Sequence, residues 1–450
     1  MFSIMSMKKL VEKVPGYDIW VLPYHKYKAF KAANKYDYPA SGLKVIGVTG
    51  TNGKTTTCFM IYQMLKSAGK KVGIMTTIGW GVDKIDPQIT HMTTASPEIL
   101  NKRIREIANS GAEYLVLELT SHALAQYRSF GIPIDVAVIT NLTHEHLDYH
   151  KTFARYRSAK EKLFALAQKA PHGRRIGIAN ADDENVKFFT RHVEIPITYG
   201  IKDGDLVARQ VKLKPSGVEY FVKLPKDLSK KIGQDLPDEK LHIRTKIPGE
   251  FNVYNSLATV LIGLTYGLSK DEIEQGILSL KNVEGRMNSI DEGQDFHVLV
   301  DFAHTPDSFK KLFADVEKSA KGRIISVFGS AGGRRDPSKR RPQGEIAGKY
   351  SDIVVLTEED DRDTPGMDIL NQIAEGVEQE GKIRDENLFL ILDRTEAIKF
   401  ALEMAEKDDV VMLLGKGHEK TIERKDGEHP WDEIKLAKEF LKEVSGKSKK

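Results

Sequence analysis

The stretch Val45-Ile46-Gly47-Val48-Thr49-Gly50-Thr51-Asn52-Gly53-Lys54-Thr55-Thr56-Thr57 constrains this chain more than any other. A β-branched apolar run stops at glycines, and Lys-Thr then opens a segment whose apolar residues recur at Cys58, Ile61, Leu65 and Ala68. The spacing predicts a strand, a tight turn and a helix. Glycines at 50 and 53 let backbone N–H groups turn inward around an anion, the helix N-terminus adds its positive dipole end, and Lys54 adds a mobile charge. Thr55 can offer its hydroxyl to magnesium. The full P-loop pattern has Gly where Val48 stands, so Gly-x-x-Gly-Lys-Thr is what remains of it. An ordinary Gly-rich turn would not require Lys-Thr at the helix start. Nucleotide-phosphate binding is expected, with Gly50, Thr51, Asn52, Gly53, Lys54, Thr55 and Thr56 as the cradle.

Composition bounds the rest. A chain of 450 residues accommodates several domains. Its 68 basic residues are nearly matched by 64 acidic ones, so bulk charge gives no support to nucleic-acid binding. The Lys-rich end from Gly446 reads as a solvated tail. A single cysteine, Cys58, excludes an internal disulfide framework, and its place on the apolar stripe of the first helix marks it as core. With no run of 18 apolar residues and no signal-type apolar region at the N-terminus, a cytoplasmic protein is expected.

Residues 1–42 carry aromatic material (Trp20, Tyr24, Tyr27, Tyr36) expected to form a short helical lead-in. From 43 onward, near-continuous apolar runs at Val45–Val48, Val72–Met75, Tyr114–Leu119, Val136–Thr140 and Ile176–Ala179 alternate with helical periodicity, which predicts a mostly parallel α/β sheet covered on both faces. Val207–Leu213 and Val218–Val222 predict antiparallel strands, followed by a charged loop from Lys226 to Lys240. Tyr254–Leu280 is expected to be helical. A second alternating region follows, with strands at His297–Val300, Ile324–Phe328, Ile353–Leu356, Leu388–Leu392 and Val410–Leu414. The expected organisation is a lead-in (1–42), a central P-loop domain (43–284) and a Rossmann-like α/β C-terminal domain (285–450).

In open parallel sheets, ligands bind beyond the carboxyl ends of the strands. Tyr114–Leu117 runs into Glu118, a hard oxygen ligand suited to magnesium. Val136–Thr140 runs into Asn141 and then Thr143-His144-Glu145-His146-Leu147-Asp148-Tyr149-His150. No closed Cys/His spacing accompanies that cluster, so structural zinc is not expected; a magnesium site using one imidazole fits better, with His144 and His150 equally readable as hydrogen-bonded loop residues. In the second half, strands end in Asp301-Phe302-Ala303-His304, in Gly329-Ser330-Ala331-Gly332-Gly333-Arg334-Arg335-Asp336 and in Gly415-Lys416-Gly417-His418-Glu419. The basic set Arg334, Arg335, Lys339, Arg340 and Arg341 suits carboxylates or phosphates. Opposite in sign is Glu358-Glu359-Asp360-Asp361-Arg362-Asp363. A ligand bearing both amine and carboxylate would suit the pair, although either run alone reads as a solvated loop.

From about 43 to 443 the chain resembles the Mur ligases, ATP-dependent amide-forming enzymes of peptidoglycan synthesis, and most closely the MurE-like branch that adds the third residue to UDP-N-acetylmuramoyl-dipeptide. The resemblance rests on Gly50–Thr56, Thr93-Thr94, Glu118–Leu124, Thr140–Leu142, His146–Asp148, Ala159-Lys160, Gly249–Asn252 with Asn255, Gly285–Met287, Asp301–Pro306, Gly332–Arg340 and Gly415–Glu419. It implies that Lys54 and its loop bind ATP with Asn141, Asn255, Arg286, Asp301 and His304 around the nucleotide. It implies that Thr55 and Glu118 hold one magnesium ion and that His146 helps hold a second. Lys160 matches a carbamylated lysine, in which an anionic oxygen donor replaces a cationic amine. Lys54, Glu118, His146 and Lys160 are thereby the catalytic candidates. Thr93, Thr94, Thr120, Gln126 and Arg128 match positions contacting the sugar-peptide acceptor; Arg335, Gly415 and Glu419 match positions gripping the incoming amino acid.

Two departures stand out. Residues 1–42 are too few for the small domain that helps the family hold its uridine nucleotide, so the chain is expected to lack it and the carrier need not be a UDP-sugar. The family's Asp-Asn-Pro-Arg motif aligns with Glu359-Asp360-Asp361-Arg362; Arg362 could pair with a distal carboxylate, while the added acids favour a distal amine, so a diamino acid is expected. The implied reaction passes through an acyl phosphate. A monomer acting on small substrates, with neither nucleic-acid nor membrane partner, is expected. Another ligase of the superfamily (folylpolyglutamate- or cyanophycin-type) and a non-catalytic ATP-binding module remain as rivals.

Overall fold

The computed structural model describes residues 17–88, 92–214, 216–236, 240–333 and 335–447, the side chains of 17–20, 148 and 444–447 excepted. The side chains of Trp20 and Asp148, the whole of Arg334 and residues 448–450 of the Lys-rich tail thus lie outside the described residues. The chain divides into two compact units, one of Met1–Arg209, Val222–Leu241 and Tyr254–Ser279, the other of Gln210–Phe221, His242–Val253 and Leu280–Lys450.

The first unit is built on β1 (Lys44–Thr49), β2 (Val72–Met75), β3 (Gly79–Gly81), β4 (Ile85–Pro87), β5 (Tyr114–Glu118), β6 (Ile134–Ile139), β7 (Ile176–Asn180) and β8 (Ile195–Gly200), hydrogen-bonded in the order β8-β7-β6-β1-β5-β2-β3-β4. Pairing is parallel from β2 through β8, with β3 and β4 antiparallel at the edge. Strands β9 (Leu206–Lys214), β10 (Gly217–Lys223) and β11 (Lys240–Thr245) continue the order beyond β8, and the division between units falls within them. Strand β1 is buried at every residue after Lys44, which is why its sequence is apolar without alternation. Its neighbours fix what lies beside the loop that follows: Val48 pairs with Glu118 of β5, and Thr49 with Ile139 of β6. The core beneath includes Leu115, Leu117, Ile139, Leu163 and Phe164.

The second unit has β12 (Asn288–Ile290), β13 (His297–Asp301), β14 (Ile324–Phe328), β15 (Ile353–Leu356), β16 (Leu388–Leu390) and β17 (Val410–Leu414) in the order β12-β13-β17-β14-β15-β16, parallel except for β12. A separate ribbon pairs β18 (Thr421–Arg424) with β19 (Gly427–Pro430).

The mostly parallel α/β architecture is the expected one, with local corrections. The lead-in contains a helix, Tyr17–Lys35. The segment from Lys226 is not simply a loop, because it forms a helix over Lys226–Ile232 and Lys240 begins β11. Strand β8, the short β3 and β4, β12 and the β18–β19 ribbon have no counterpart in the periodicity reading. The expected helix over 254–280 is two helices, Phe251–Thr265 and Lys270–Ser279.

One buried ion pair pins the second unit. Arg394, at a helix start capped by Asp393, is fully buried and donates to Glu433 at 2.6 and 2.8 Å, and also to the carbonyls of Glu358 and Leu414. Removing one partner leaves the other charge buried and unpaired. Arg394→Met is therefore expected to destabilise the protein by about 3–5 kcal/mol, measured by chemical denaturation; a loss below about 1 kcal/mol would show that the pair behaves like a surface one.

Candidate active-site residues

The loop after β1 has its glycines where the backbone demands them. Gly50 has φ 152° and Gly53, which caps the helix Lys54–Ser67, has φ 81°. A Cβ on Gly50 would lie 1.9 Å from the Thr140 hydroxyl, and one on Gly53 2.5 Å from Asn255 Oδ1. The first intrahelical bond comes from the Thr57 N–H to the Gly53 carbonyl, so the preceding N–H groups have no helical partner. Loop shape is held from β6: Asn141 Oδ1 accepts the Asn52 N–H at 3.0 Å, while Asn141 Nδ2 and Thr140 Oγ1 donate to the Asn52 carbonyl at 3.0 and 2.6 Å. Lys54 Nζ donates to the Thr51 carbonyl at 2.7 Å. Asn255 Oδ1 also accepts from Thr57 Oγ1 at 3.1 Å, tying the Phe251–Thr265 helix to the loop.

Thr55 and Glu118 lie together beside this loop. The hydroxyl donates to the carboxylate at 2.9 Å, and Glu118 is 1% exposed. Thr77, after β2, donates its N–H and its hydroxyl to the same carboxylate at 3.0 Å each. Thr77 was not among the sequence candidates, although a hydroxyl just past the end of a central strand satisfies the same rule that picked out Glu118. A hydroxyl and a carboxylate oxygen are the hard donors magnesium takes beside water and phosphate. Among the described residues no group of three or more His, Cys, Asp or Glu side chains gathers to hold a metal alone.

From Thr77 the network continues into the five acceptor candidates. Thr77 Oγ1 lies 3.1 Å from Thr93 Oγ1; Thr94 Oγ1 donates to the Glu118 carbonyl and accepts the Thr120 N–H; Thr120 caps the short helix Ser121–Ala125. Arg128 donates to Gln126 Oε1 at 2.7 Å and to the Thr94 carbonyl. These residues form one continuous patch.

Lys160 sits on the helix Phe153–Lys169, capped by Thr152, and donates to the Gly50 carbonyl at 2.6 Å. Only 1% exposed, its amine is held well below the ordinary lysine range by burial and then by Lys54, with Glu145 and Glu118 acting in the opposite sense. Tyr156, which sequence reasoning missed, lies between several of these groups. Its hydroxyl meets Thr51 Oγ1 at 3.0 Å, Lys160 Nζ lies 4.8 Å from its ring, and the His146 ring lies 6.1 Å away. His146 has φ 55° and packs edge-on against His122. His150 bonds Ser121, the hydrogen-bonded role left open for it, while His144 stacks on Phe153.

In the second unit Asp301 accepts the N–H groups of Met287 and Ala303 at 2.7 Å each; burial raises its pKa, opposed by Arg286. Arg286 lies over the Phe302 ring, and His304 donates to the Phe302 carbonyl. Lys416, 1% exposed in side chain, is the hub of the Gly415–Glu419 turn, paired with Asp360 at 2.8 Å and Glu419 at 2.6 Å. Burial works against its charge, yet Glu419 and Asp360 hold its pKa above the ordinary value. Glu419 is itself raised by burial. Arg362 is engaged by Glu423 at 2.7 Å. Arg335 is exposed.

Comparison with known proteins comes down on one family. Residues 48–263 match the Mur ligase middle domain, and residues 285–417 match the Mur ligase glutamate ligase domain. A UDP-N-acetylmuramoyl-L-alanyl-D-glutamate–2,6-diaminopimelate ligase from Caldanaerobacter subterraneus is 38% identical over 418 residues, 92% of this chain and 81% of the relative. A UDP-N-acetylmuramyl-tripeptide synthetase from Treponema denticola is 40% identical over 427 residues, 90% of this chain and 77% of the relative. A solved UDP-N-acetylmuramoyl-L-alanyl-D-glutamate–2,6-diaminopimelate ligase superposes with TM-score 0.63 at 26% identity, covering 94% of this chain and 82% of that one.

Asp361 gives the second unit a measurable pH signature. Burial, then Glu358 and its other acidic neighbours, push its carboxyl up to about 6. The fold favours the protonated form, so the stability it contributes is complete below the ordinary aspartate value near about 3.9 and is lost as pH rises through about 6. Asp361→Asn is expected to raise the Tm relative to wild type above pH ~7 and to give no gain below pH ~4. A Tm difference independent of pH would contradict it.

Proposed function

The chain belongs to the Mur ligases, ATP-dependent amide-forming enzymes, and we propose that it joins a free amino acid, a diamino acid, to the carboxylate of a muramoyl-peptide-like acceptor in cell-wall precursor synthesis. The observation that carries this reading is the buried contact of Thr55 with Glu118 beside a glycine-shaped phosphate loop, a combination that an ordinary Gly-rich turn does not need. Its relatives, a diaminopimelate ligase and a tripeptide synthetase of UDP-N-acetylmuramoyl peptides, suggest the substrate class.

The residues act by binding, positioning and charge neutralisation. The N–H groups that precede the first intrahelical bond of the Lys54–Ser67 helix and the Lys54 ammonium receive the phosphates of ATP. Thr55 and Glu118 would hold magnesium, which when bound offsets charge on the outer phosphates. Thr93, Thr94, Thr120, Gln126 and Arg128 orient the acceptor, whose carboxylate oxygen attacks the γ-phosphorus and expels ADP. The amine then attacks the acyl phosphate carbonyl, and phosphate leaves with the former carboxylate oxygen. Asn141, Asn255, Arg286, Asp301 and His304 contact the nucleotide in this reading, and Arg335, Gly415 and Glu419 the amino acid. Domain limits of 43–284 and 285–450 and a cytoplasmic location belong to the same proposal. A buried amine held toward its neutral form is the form that combines with carbon dioxide, which supports Lys160 as a carbamate.

Phosphate release in the presence of ATP, magnesium, acceptor and amino acid, with the product mass determined, tests the reading. Turnover that requires all components is expected. Lys54→Ala should lower kcat at least about 100-fold, and Lys160→Ala should lose activity that short carboxylic acids partly restore. ATP hydrolysis indifferent to acceptor and amino acid would favour an ATP-binding module, and wild-type turnover by Lys160→Ala would discard the carbamate.

A further inference from the structure

The acidic loop after β15 is more completely paired than its sequence suggests, and what is left over is informative. Glu358 is taken by Arg424 at 2.6 and 2.8 Å. Asp360 and Glu419 share Lys416 at 2.8 and 2.6 Å. Arg362 is held four ways: its guanidinium Nε donates to Glu423 Oε2 at 2.7 Å, its own N–H donates to the Glu423 carbonyl, its Nη1 reaches the Gly332 carbonyl at 3.4 Å, and its Nη2 reaches Asp360 Oδ2 at 3.4 Å. The Glu423 N–H in turn bonds Asp360. The cations that act on these carboxylates through space give their hydrogen bonds elsewhere: Lys339, near Glu359, donates to the His304 carbonyl; Arg340, near Asp361, to Gln372 and the Ala331 carbonyl; and Arg394, near Glu358 and Glu359, to Glu433.

Two carboxylate oxygens remain without a hydrogen bond among the described residues. Glu359 is 7% exposed, and among the described residues its Oε2 has no hydrogen-bond partner. That oxygen faces the Gly415–Glu419 turn closely enough that a Cβ on Gly415, at φ 103°, would lie 3.0 Å from it. Asp361 Oδ1 is likewise buried and unpartnered. A buried carboxylate oxygen without a donor is costly, and its natural complement is an N–H group supplied from outside, best a charged one. Of the two amines on a diamino acid, the α-amine must keep its lone pair free to attack the acyl phosphate. An ammonium held against carboxylates stays protonated and cannot attack. The amine received here is therefore the one that does not react.

We propose that Glu359 and Asp361 receive the side-chain ammonium of the incoming amino acid, and that Glu423, by engaging Arg362, removes the cation that would read a distal carboxylate. The substrate class is then an α-amino acid whose unbranched side chain ends in an amine, such as lysine or ornithine, in preference to diaminopimelate. Glu423 is a specificity-determining residue acting through Arg362. The inference rests on the ligase reading above for its choice between the two amines.

The test compares lysine, ornithine, diaminopimelate and norleucine, which matches lysine without its amine, in two assays: amino-acid-dependent phosphate release and calorimetric titration. Lysine or ornithine should exceed norleucine by at least about 100-fold in kcat/KM and should also exceed diaminopimelate. Glu359→Gln should collapse the lysine-to-norleucine ratio by at least about 10-fold, mainly through KM. Glu423→Gln should lower KM for diaminopimelate while leaving lysine the same or worse. Wild-type preference for diaminopimelate, or a Glu359→Gln effect equal for lysine and norleucine, overturns the proposal. Calorimetry separates the two readings. Absent turnover with lysine binding that Glu359→Gln weakens would sink the ligase reading and keep the ammonium site; absent lysine binding by the wild type sinks the site.

Discussion

Glu118 is the contact on which the catalytic reading depends. Its carboxylate, buried at the end of β5, accepts from Thr55 on the first turn of the helix after the loop and from Thr77 beyond β2. Strand register explains why it can do so: β1 lies between β5 and β6, so the loop leaving β1 emerges with Glu118 on one side and Asn141 on the other. The loop has little choice of shape, since Asn141 and Thr140 bind both polar groups of the Asn52 backbone and Gly53 occupies a left-handed conformation against Asn255. Such preorganisation lets N–H groups and a carboxylate act on a triphosphate without reorganising first.

The second unit solves a different electrostatic problem. Acidic and basic side chains are concentrated at the ends of β13, β14, β15 and β17, where burial makes every unmatched charge expensive. Most are matched within the unit: Arg394 with Glu433, Arg424 with Glu358, Lys416 with Asp360 and Glu419. His418, pushed down to about 3 by burial and then by Arg286, stays neutral and adds no charge. The result is a charged cluster whose unmatched hydrogen-bonding capacity is confined to particular carboxylate oxygens.

Much of this was legible in the chain itself, and the exceptions have physical causes. Strands β2, β14, β15 and β17 coincide with their apolar runs because each is buried on every residue, so period and composition agree. Strand β8 was invisible because Ile195-Pro196-Ile197 carries a proline, which reads against a strand. The β18–β19 ribbon is polar on most positions, and only Asp426-Gly427 marks its turn. Missing that ribbon concealed Glu423 and Arg424, and hence the fact that Arg362 and Glu358 already have partners. Thr77 and Tyr156 were missed for another reason: a threonine past a strand and a tyrosine on an amphipathic helix look like ordinary structure until the loop folds onto them.

The account's central claim is that an acyl phosphate forms on the acceptor before the amide does. Labelling the acceptor carboxylate with oxygen-18 and analysing the released phosphate tests that step directly. The account predicts that each phosphate formed carries one labelled oxygen, because the oxygen that attacked phosphorus leaves with it. Phosphate free of label, in reactions that still yield the amide, would contradict it.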